Sequence, residues 1–239
     1  MLNVVESGRG DRVALLLHGM TGSAESWWRV APVLADHGYR VLALDLPGHG
    51  LSPRDPGCTV ERAAASVIET VHALAPGLPV HAIGHSYGGM VLAAAAGQLR
   101  PELAVHVDAP LRIERGATRE ELIASYDESR RTRTVEGLRA TRPYYSERDA
   151  LVEARAAERF DSVTAASVSS GGGEWVPEPG SIVVRADPSS FVSDADARAL
   201  AARGVDVRSI PGAAHTVWYS HFDDFVTTVP EMFGAASGV

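Results

Sequence analysis

The sequence predicts an α/β protein: a mostly parallel central sheet with helices on both faces, interrupted once by a helical insertion. Three observations carry this. Short apolar runs alternate with longer amphipathic runs through residues 1–108. The same alternation resumes near residue 181. Between them lies a charge-dense stretch of different texture.

Taken in order, Arg12–Leu17 is an aliphatic strand that stops at His18-Gly19. Ala24–His37 places Trp27, Val30, Ala31 and Leu34 at helical spacing. Arg40–Leu46 is a second strand, ended by Pro47-Gly48. A helix follows over Thr59–Leu74, then a short strand, Pro79–Ile83, that runs into Gly84. Gly88–Leu99 is alanine-rich and reads as a buried helix, and Ala104–Val107 as the next strand. Past the insertion come a strand (Ser181–Ala186), a helix (Asp194–Arg203), a strand (Val205–Ile210) and a last helix from about Val217 to Phe233. The core is therefore expected to comprise residues 1–108 and 181–239, with residues 109–180 as the helical insertion. Gly171-Gly172-Gly173 reads as a hinge at its exit.

Composition narrows the chemistry. A chain of 239 residues, 45% hydrophobic and 22% charged, buries a core without staples. The single cysteine, Cys58, excludes an internal disulfide and a thiolate-rich zinc site. A net charge of -8 argues against wrapping nucleic acid. All 22 basic residues are arginine, which rules out a Schiff-base lysine and a P-loop lysine. With a single cysteine there is no cysteine pair at ligand spacing, and neither metal nor cofactor is expected. The N-terminal residues lack the basic start and apolar run of a signal peptide, and no apolar stretch approaches a membrane span. The expectation is a cytoplasmic protein acting on a small molecule, with no nucleic-acid or membrane partner. Oligomeric state is not legible.

Gly84-His85-Ser86-Tyr87-Gly88 fits Gly-x-Ser-x-Gly and stands between a strand and a helix. A serine on so tight a turn needs small neighbours two positions away. It gains an exposed hydroxyl at a helix N-terminus, where developing negative charge is favoured. Ser86 is the candidate nucleophile.

With His18-Gly19-Met20, Asp45-Leu-Pro-Gly-His-Gly-Leu-Ser52 and Gly212-Ala-Ala-His215 in the same order along the chain, the sequence resembles the α/β-hydrolase family, in its serine esterase and lipase-like branch. The resemblance covers nearly the whole chain and implies that residues 109–180 form the family's cap. It implies His215 as general base, because that residue lies late, in a small-residue loop between a strand and the last helix. The oxyanion hole is expected from the backbone N–H groups of Met20 and Tyr87. The acid has two candidates. Many relatives place it three residues beyond a small residue after the first strand past the cap, but here Ala186 is followed at that spacing by Ser189. Asp108, ending the strand after the nucleophile helix in Val107-Asp108-Ala109-Pro110, is favoured. Asp187, before Pro188, is the alternative.

Of nine histidines, His85 is expected to point away from Ser86 and to be structural, as is His18, whose turn matters through its backbone. His49 and His221 read as packing or surface residues, with His49 able to edge the pocket. Tyr144 and Tyr145 resemble the cap tyrosines of epoxide-opening relatives. Those use an aspartate nucleophile, so with Ser86 in place the pair reads as pocket lining. The implied function is hydrolysis of a carboxylic ester, thioester or lactone through an acyl-enzyme on Ser86. The alternatives are a carbon–carbon hydrolase or lyase of a carboxylate-bearing substrate gripped by cap arginines, and a ligand-binding protein without turnover.

Overall fold

All five residues of Val13–Leu17 are buried, which requires a strand in mid-sheet with both faces covered. A computed structural model describes residues 1–234 and places that strand near the middle of a seven-stranded sheet. The chain opens with β1 (Val4–Ser7), β2 (Arg12–Leu17), a 3₁₀ turn (Ala24–Trp27), α1 (Val30–Asp36) and β3 (Tyr39–Leu44). There follow α2 (Val60–Leu74), β4 (Val80–His85), α3 (Tyr87–Leu99) and β5 (Leu103–Val107). Next come β6 (Arg112–Ile113), α4 (Arg119–Thr132), α5 (Val135–Thr141), α6 (Glu147–Glu158), α7 (Ser162–Gly171) and β7 (Gly173–Glu174). The chain continues through β8 (Ile182–Asp187), α8 (Asp194–Ala202) and β9 (Asp206–Pro211). Three short helices follow, α9 (Val217–Ser220), α10 (Phe222–Thr228) and α11 (Pro230–Phe233).

The large sheet runs β1-β3-β2-β4-β5-β8-β9. Every pairing in it is parallel except β1 with β3. The two-residue period of a strand splits its side chains between two cores. Ala14 and Leu16 pack with Val41, Ala43 and Ile83 under α1 and the last three helices. Val13, Leu15 and Leu17 pack with Leu42 and Leu44 under α2 and α3. Each large side chain so buried contributes about 1.5–3 kcal/mol. Thr59 starts α2 by accepting the Arg62 N–H at 3.2 Å. Among the described residues no helix is long and apolar enough to cross a membrane.

Three expectations are corrected, and one strand appears that was not expected. Val4–Ser7 pairs with β3 as an edge strand, though its short, half-exposed sequence gives no strand signal. The helix expected over Ala24–His37 is a 3₁₀ turn followed by α1, with Pro32 in the first turn, where its missing N–H costs nothing. The last helix breaks into three, and Pro230 opens the third. The glycine run read as a hinge instead ends α7 and enters β7, which pairs antiparallel with β6: Arg112 lies opposite Glu174 and Ile113 opposite Gly173.

Several histidines are carried inside uncharged. Burial pushes His106 down to about 4, although its Nδ1 bonds to the Gly89 carbonyl at 3.0 Å. Burial, then repulsion by His49, takes His18 to about 3. In an unfolded chain these groups titrate near ~6.5. Between those values the unfolded state holds more protons, so stability is full above pH ~6.5 and drains as pH falls toward 4 and 3. Urea unfolding at a series of pH values should show a loss approaching ~1.4 kcal/mol per pH unit for each such histidine. His106→Gln should flatten that slope by one group's share. An unchanged slope would show that His106 does not carry it.

Candidate active site

Ser86 stands where β4 hands over to α3, with φ 51° and ψ -118°. That backbone costs a non-glycine residue about 1–3 kcal/mol. Gly84 and Gly88 let the turn close. A Cβ on Gly84 would lie 2.4 Å from the Gly88 carbonyl oxygen, and one on Gly88 would lie 2.3 Å from the Leu17 carbonyl oxygen. The Ser86 N–H donates to Val107 O at 3.0 Å, tying the turn to β5. Ser86 Oγ borders a cavity of about 460 Å³ at the carboxyl ends of the strands. It has no hydrogen-bond partner within 3.5 Å among the described residues.

His215 reaches the same cavity from the loop after β9. Its Nδ1 lies 2.7 Å from Asp108 Oδ2. Asp108 is 1% exposed, at φ 42°, at the end of β5. Its other oxygen, Oδ1, accepts from Ser189 Oγ at 2.6 Å and from the Ala186 N–H at 3.2 Å. Both oxygens thus have donors, and the carboxylate is fixed in orientation. Asp187 does not reach His215. It pairs with Arg185 at 3.3 Å and is about half exposed. Of the two acid candidates, the fold brings Asp108 to the histidine. The phenyl ring of Phe191 stacks on the far face of His215, centroids 4.0 Å apart.

Two histidine expectations change. The His85 ring borders the cavity with Ser86 rather than pointing away from it. Its Nε2–H donates to the His215 carbonyl at 3.0 Å, and its ring sits 4.5 Å from that of His215. Burial, followed by the nearby His215, lowers its pKa well below the ordinary value, so it remains neutral. His18 acts through its side chain as well as its turn, because its Nε2 accepts the Leu46 N–H at 3.0 Å. With Nε2 an acceptor, Nδ1 carries the proton and donates to Gly19 O at 2.8 Å. His49 is a packing residue, one of the two readings expected: it is buried against Tyr87 and Phe160, and its ring nitrogens face the carbonyls of Met20 and Pro47. Asp45 holds the neighbouring loop, accepting from Ala24 N at 2.7 Å, Leu51 N at 2.9 Å and Asn3 Nδ2 at 2.7 Å. Met20 lies on the cavity wall beside Ser86. Neither its N–H nor that of Tyr87, the first residue of α3, has a backbone partner among the described residues.

The opposite wall comes from the inserted segment, through Tyr126, Arg133, Arg142, Tyr144, Tyr145 and Glu153. A second cleft, of about 510 Å³, opens on the outside of that segment and touches neither Ser86 nor His215. Among the described residues no group of three or more His, Cys, Asp or Glu side chains is placed to hold a metal ion.

The sequence profile of the family described as "Alpha/beta hydrolase family" matches residues 14–228. This protein is an α/β hydrolase. Among curated proteins, it is 39% identical over 95 residues to the pimeloyl-[acyl-carrier protein] methyl ester esterase of Methylococcus capsulatus. That match covers 40% of this chain and 35% of the esterase. Over another 95-residue match it is 35% identical to Methylesterase 8 of Arabidopsis thaliana, covering 39% of this chain and 35% of that one. These matches thus span about a third of each relative's length. Among solved structures, an esterase from Exiguobacterium antarcticum superposes with a TM-score of 0.77. The superposition covers 98% of this chain and 96% of the other at 16% identity, and so shows the shared fold.

In this α/β hydrolase several cavity residues had no sequence signal. Trp218, Phe191, Ser26, Arg133 and Glu153 reach the cavity from five separate places in the chain. Tertiary packing brings them together, within the core for Trp218 and Ser26 and across to the inserted segment for Arg133 and Glu153. His85 had one weak signal, Gly19, where a Cβ would lie 2.8 Å from His85 Nδ1.

The elbow geometry is testable apart from any reaction. Gly84→Ala should destabilise the α/β hydrolase by at least ~1–3 kcal/mol, the cost of overpacking. Gly97→Ala, at an exposed position of α3 with nothing within 4 Å of the new Cβ, should stabilise it by about 0.5–1 kcal/mol. Urea midpoints that moved together would refute the steric account of the turn.

Proposed function

We propose that this α/β hydrolase is a serine hydrolase cleaving a carboxylic ester, thioester or lactone through an acyl-enzyme on Ser86. The observation that carries the reading is the 2.7 Å contact of buried Asp108 with His215, in the cavity that Ser86 borders. The likeness to proteins named as esterases supports it. The soluble, cytoplasmic setting expected from sequence belongs to the same proposal.

In the proposed reaction His215 Nε2 takes the Ser86 proton as Oγ attacks the carbonyl carbon. The charge on the carbonyl oxygen is met by the N–H groups of Met20 and Tyr87. His215 then gives its proton to the departing alcohol or thiol, leaving the acyl group on Oγ. Water attacks this ester, loses a proton to His215, and the acid departs as Oγ regains its proton. Asp108 keeps the Nδ1 proton in place and stabilises the imidazolium. In substrate-free enzymes the nucleophile–base hydrogen bond is often long, and it tightens when substrate is bound. Tyr144 and Tyr145, both on the cavity wall, are assigned to substrate selection.

Ser86→Ala should keep the fold and lose turnover of p-nitrophenyl acyl esters by ~10⁴-fold or more. Retained activity in the folded variant, or failure of the wild type to react with a fluorophosphonate, would end the serine-hydrolase reading.

Asp108→Asn and Asp187→Asn should separate in the same assay. The first removes the carboxylate that faces His215 and should cost ~10⁴-fold in kcat. The second removes a half-exposed partner of Arg185 and should cost little. The reverse ranking would move the acid to Asp187.

A further inference from the structure

We propose that the substrate carries a free carboxylate remote from the scissile ester, held between Arg133 and Arg142 on the inserted-segment wall of the cavity. The inference rests on the reading of Ser86 as nucleophile and adds the class of substrate.

Arg133 follows α4 and is 9% exposed. Its side chain makes one hydrogen bond among the described residues, from Nη2 to Glu153 Oε2 at 2.7 Å. Its Nε is buried with no partner at all. Glu153, on α6 and 5% exposed, is by contrast bonded three times. Its Oε1 accepts from Ser26 Oγ at 2.7 Å and from Tyr219 OH at 3.1 Å, while Oε2 takes the arginine. A guanidinium has five N–H donors and an ionised carboxylate about four acceptor sites. Arg133 uses one donor while Glu153 already accepts three bonds, so the pair leaves more donors than acceptors open.

Arg142 lies beyond α5, half-buried on the same wall. Its Nη1 donates to Thr141 Oγ1 at 3.1 Å, and no carboxylate lies within 4.0 Å of it among the described residues. The ionised side chains on the wall are thus two arginines against one glutamate. That wall carries one more positive than negative side chain in a protein whose net charge is -8. An apolar acyl chain against this wall would desolvate a guanidinium without replacing its water, at a cost in binding. A carboxylate accepts from both arginines through charge-assisted bonds and brings the wall to neutrality.

The test compares mono-p-nitrophenyl glutarate with p-nitrophenyl pentanoate, an uncharged ester with the same number of acyl carbons. It adds the pair 4-(butanoyloxy)benzoate and its methyl ester, which puts the carboxylate on the leaving group. Wild type should prefer the carboxylate member of at least one pair by ~tenfold or more in kcat/KM, mainly through KM. In Arg142→Gln that ratio should collapse toward one. Because Arg133→Gln alone would strand a buried carboxylate, it is paired with Glu153→Gln, and folding is checked by thermal melt. Loss of the preference in that double variant supports the proposal as well. If the uncharged ester of each pair is cleaved as well as its carboxylate partner, the carboxylate site is overturned while the serine-hydrolase reading stands. If wild type cleaves none of the four, that reading fails, and calorimetric titration of wild type with glutarate decides the site. Saturable binding weakened in Arg142→Gln upholds it, and no binding overturns it.

Discussion

The backbone at Ser86 constrains everything around it. A residue with a side chain is held at positive φ between a strand and a helix, and the turn closes only because nothing projects from positions 84 and 88. Gly88 packs directly on the Leu17 carbonyl, so α3 is docked on the end of β2 as closely as backbone permits. That contact fixes the height of the Ser86 hydroxyl relative to the turn at His18-Gly19, and hence relative to Met20. The strain at one residue is offset by the burial of β4 and α3 on both sides of it.

Around this fixed point the histidine loop is held by three separate hands. Asp108 holds the Nδ1 side of His215, His85 holds its carbonyl, and Phe191 covers a ring face. Each comes from a different strand end, β5, β4 and the loop after β8. Ser189 in turn steadies Asp108 and also accepts the N–H groups of Phe191 and Val192. The loop that supplies the stacking ring is therefore locked to the carboxylate that orients the same histidine.

Legibility in the sequence follows the range of the interactions. Strands such as Arg12–Leu17 and Pro79–Ile83 announce themselves because a strand buried on both faces reads as a near-continuous apolar run, broken here only by Arg12 at one end and by His81. The elbow is legible because its steric demand falls on residues two positions apart. The choice between Asp108 and Asp187 rested on the serine at 189, and the hydrogen bond from Ser189 to Asp108 gives that substitution a physical meaning. Val4–Ser7 was not legible, since an edge strand needs only one covered side. The direction of His85 and the joint placement of Arg133, Glu153, Ser26 and Tyr219 were not legible either, because those contacts join positions scattered from 26 to 219.

The ribbon of β6 and β7 bears on how the inserted segment is anchored. Arg112 and Glu174 face each other across one strand spacing, roughly 4.8 Å. Seen from the sheet, the long excursion between them is equivalent to the tip of a hairpin. Its two feet stay one strand spacing apart whatever the path between them, and β5 pairs directly with β8 beneath it. The segment therefore leaves and rejoins the sheet at one point, and its far side is tied back to the core where Glu153 accepts from Ser26 and Tyr219.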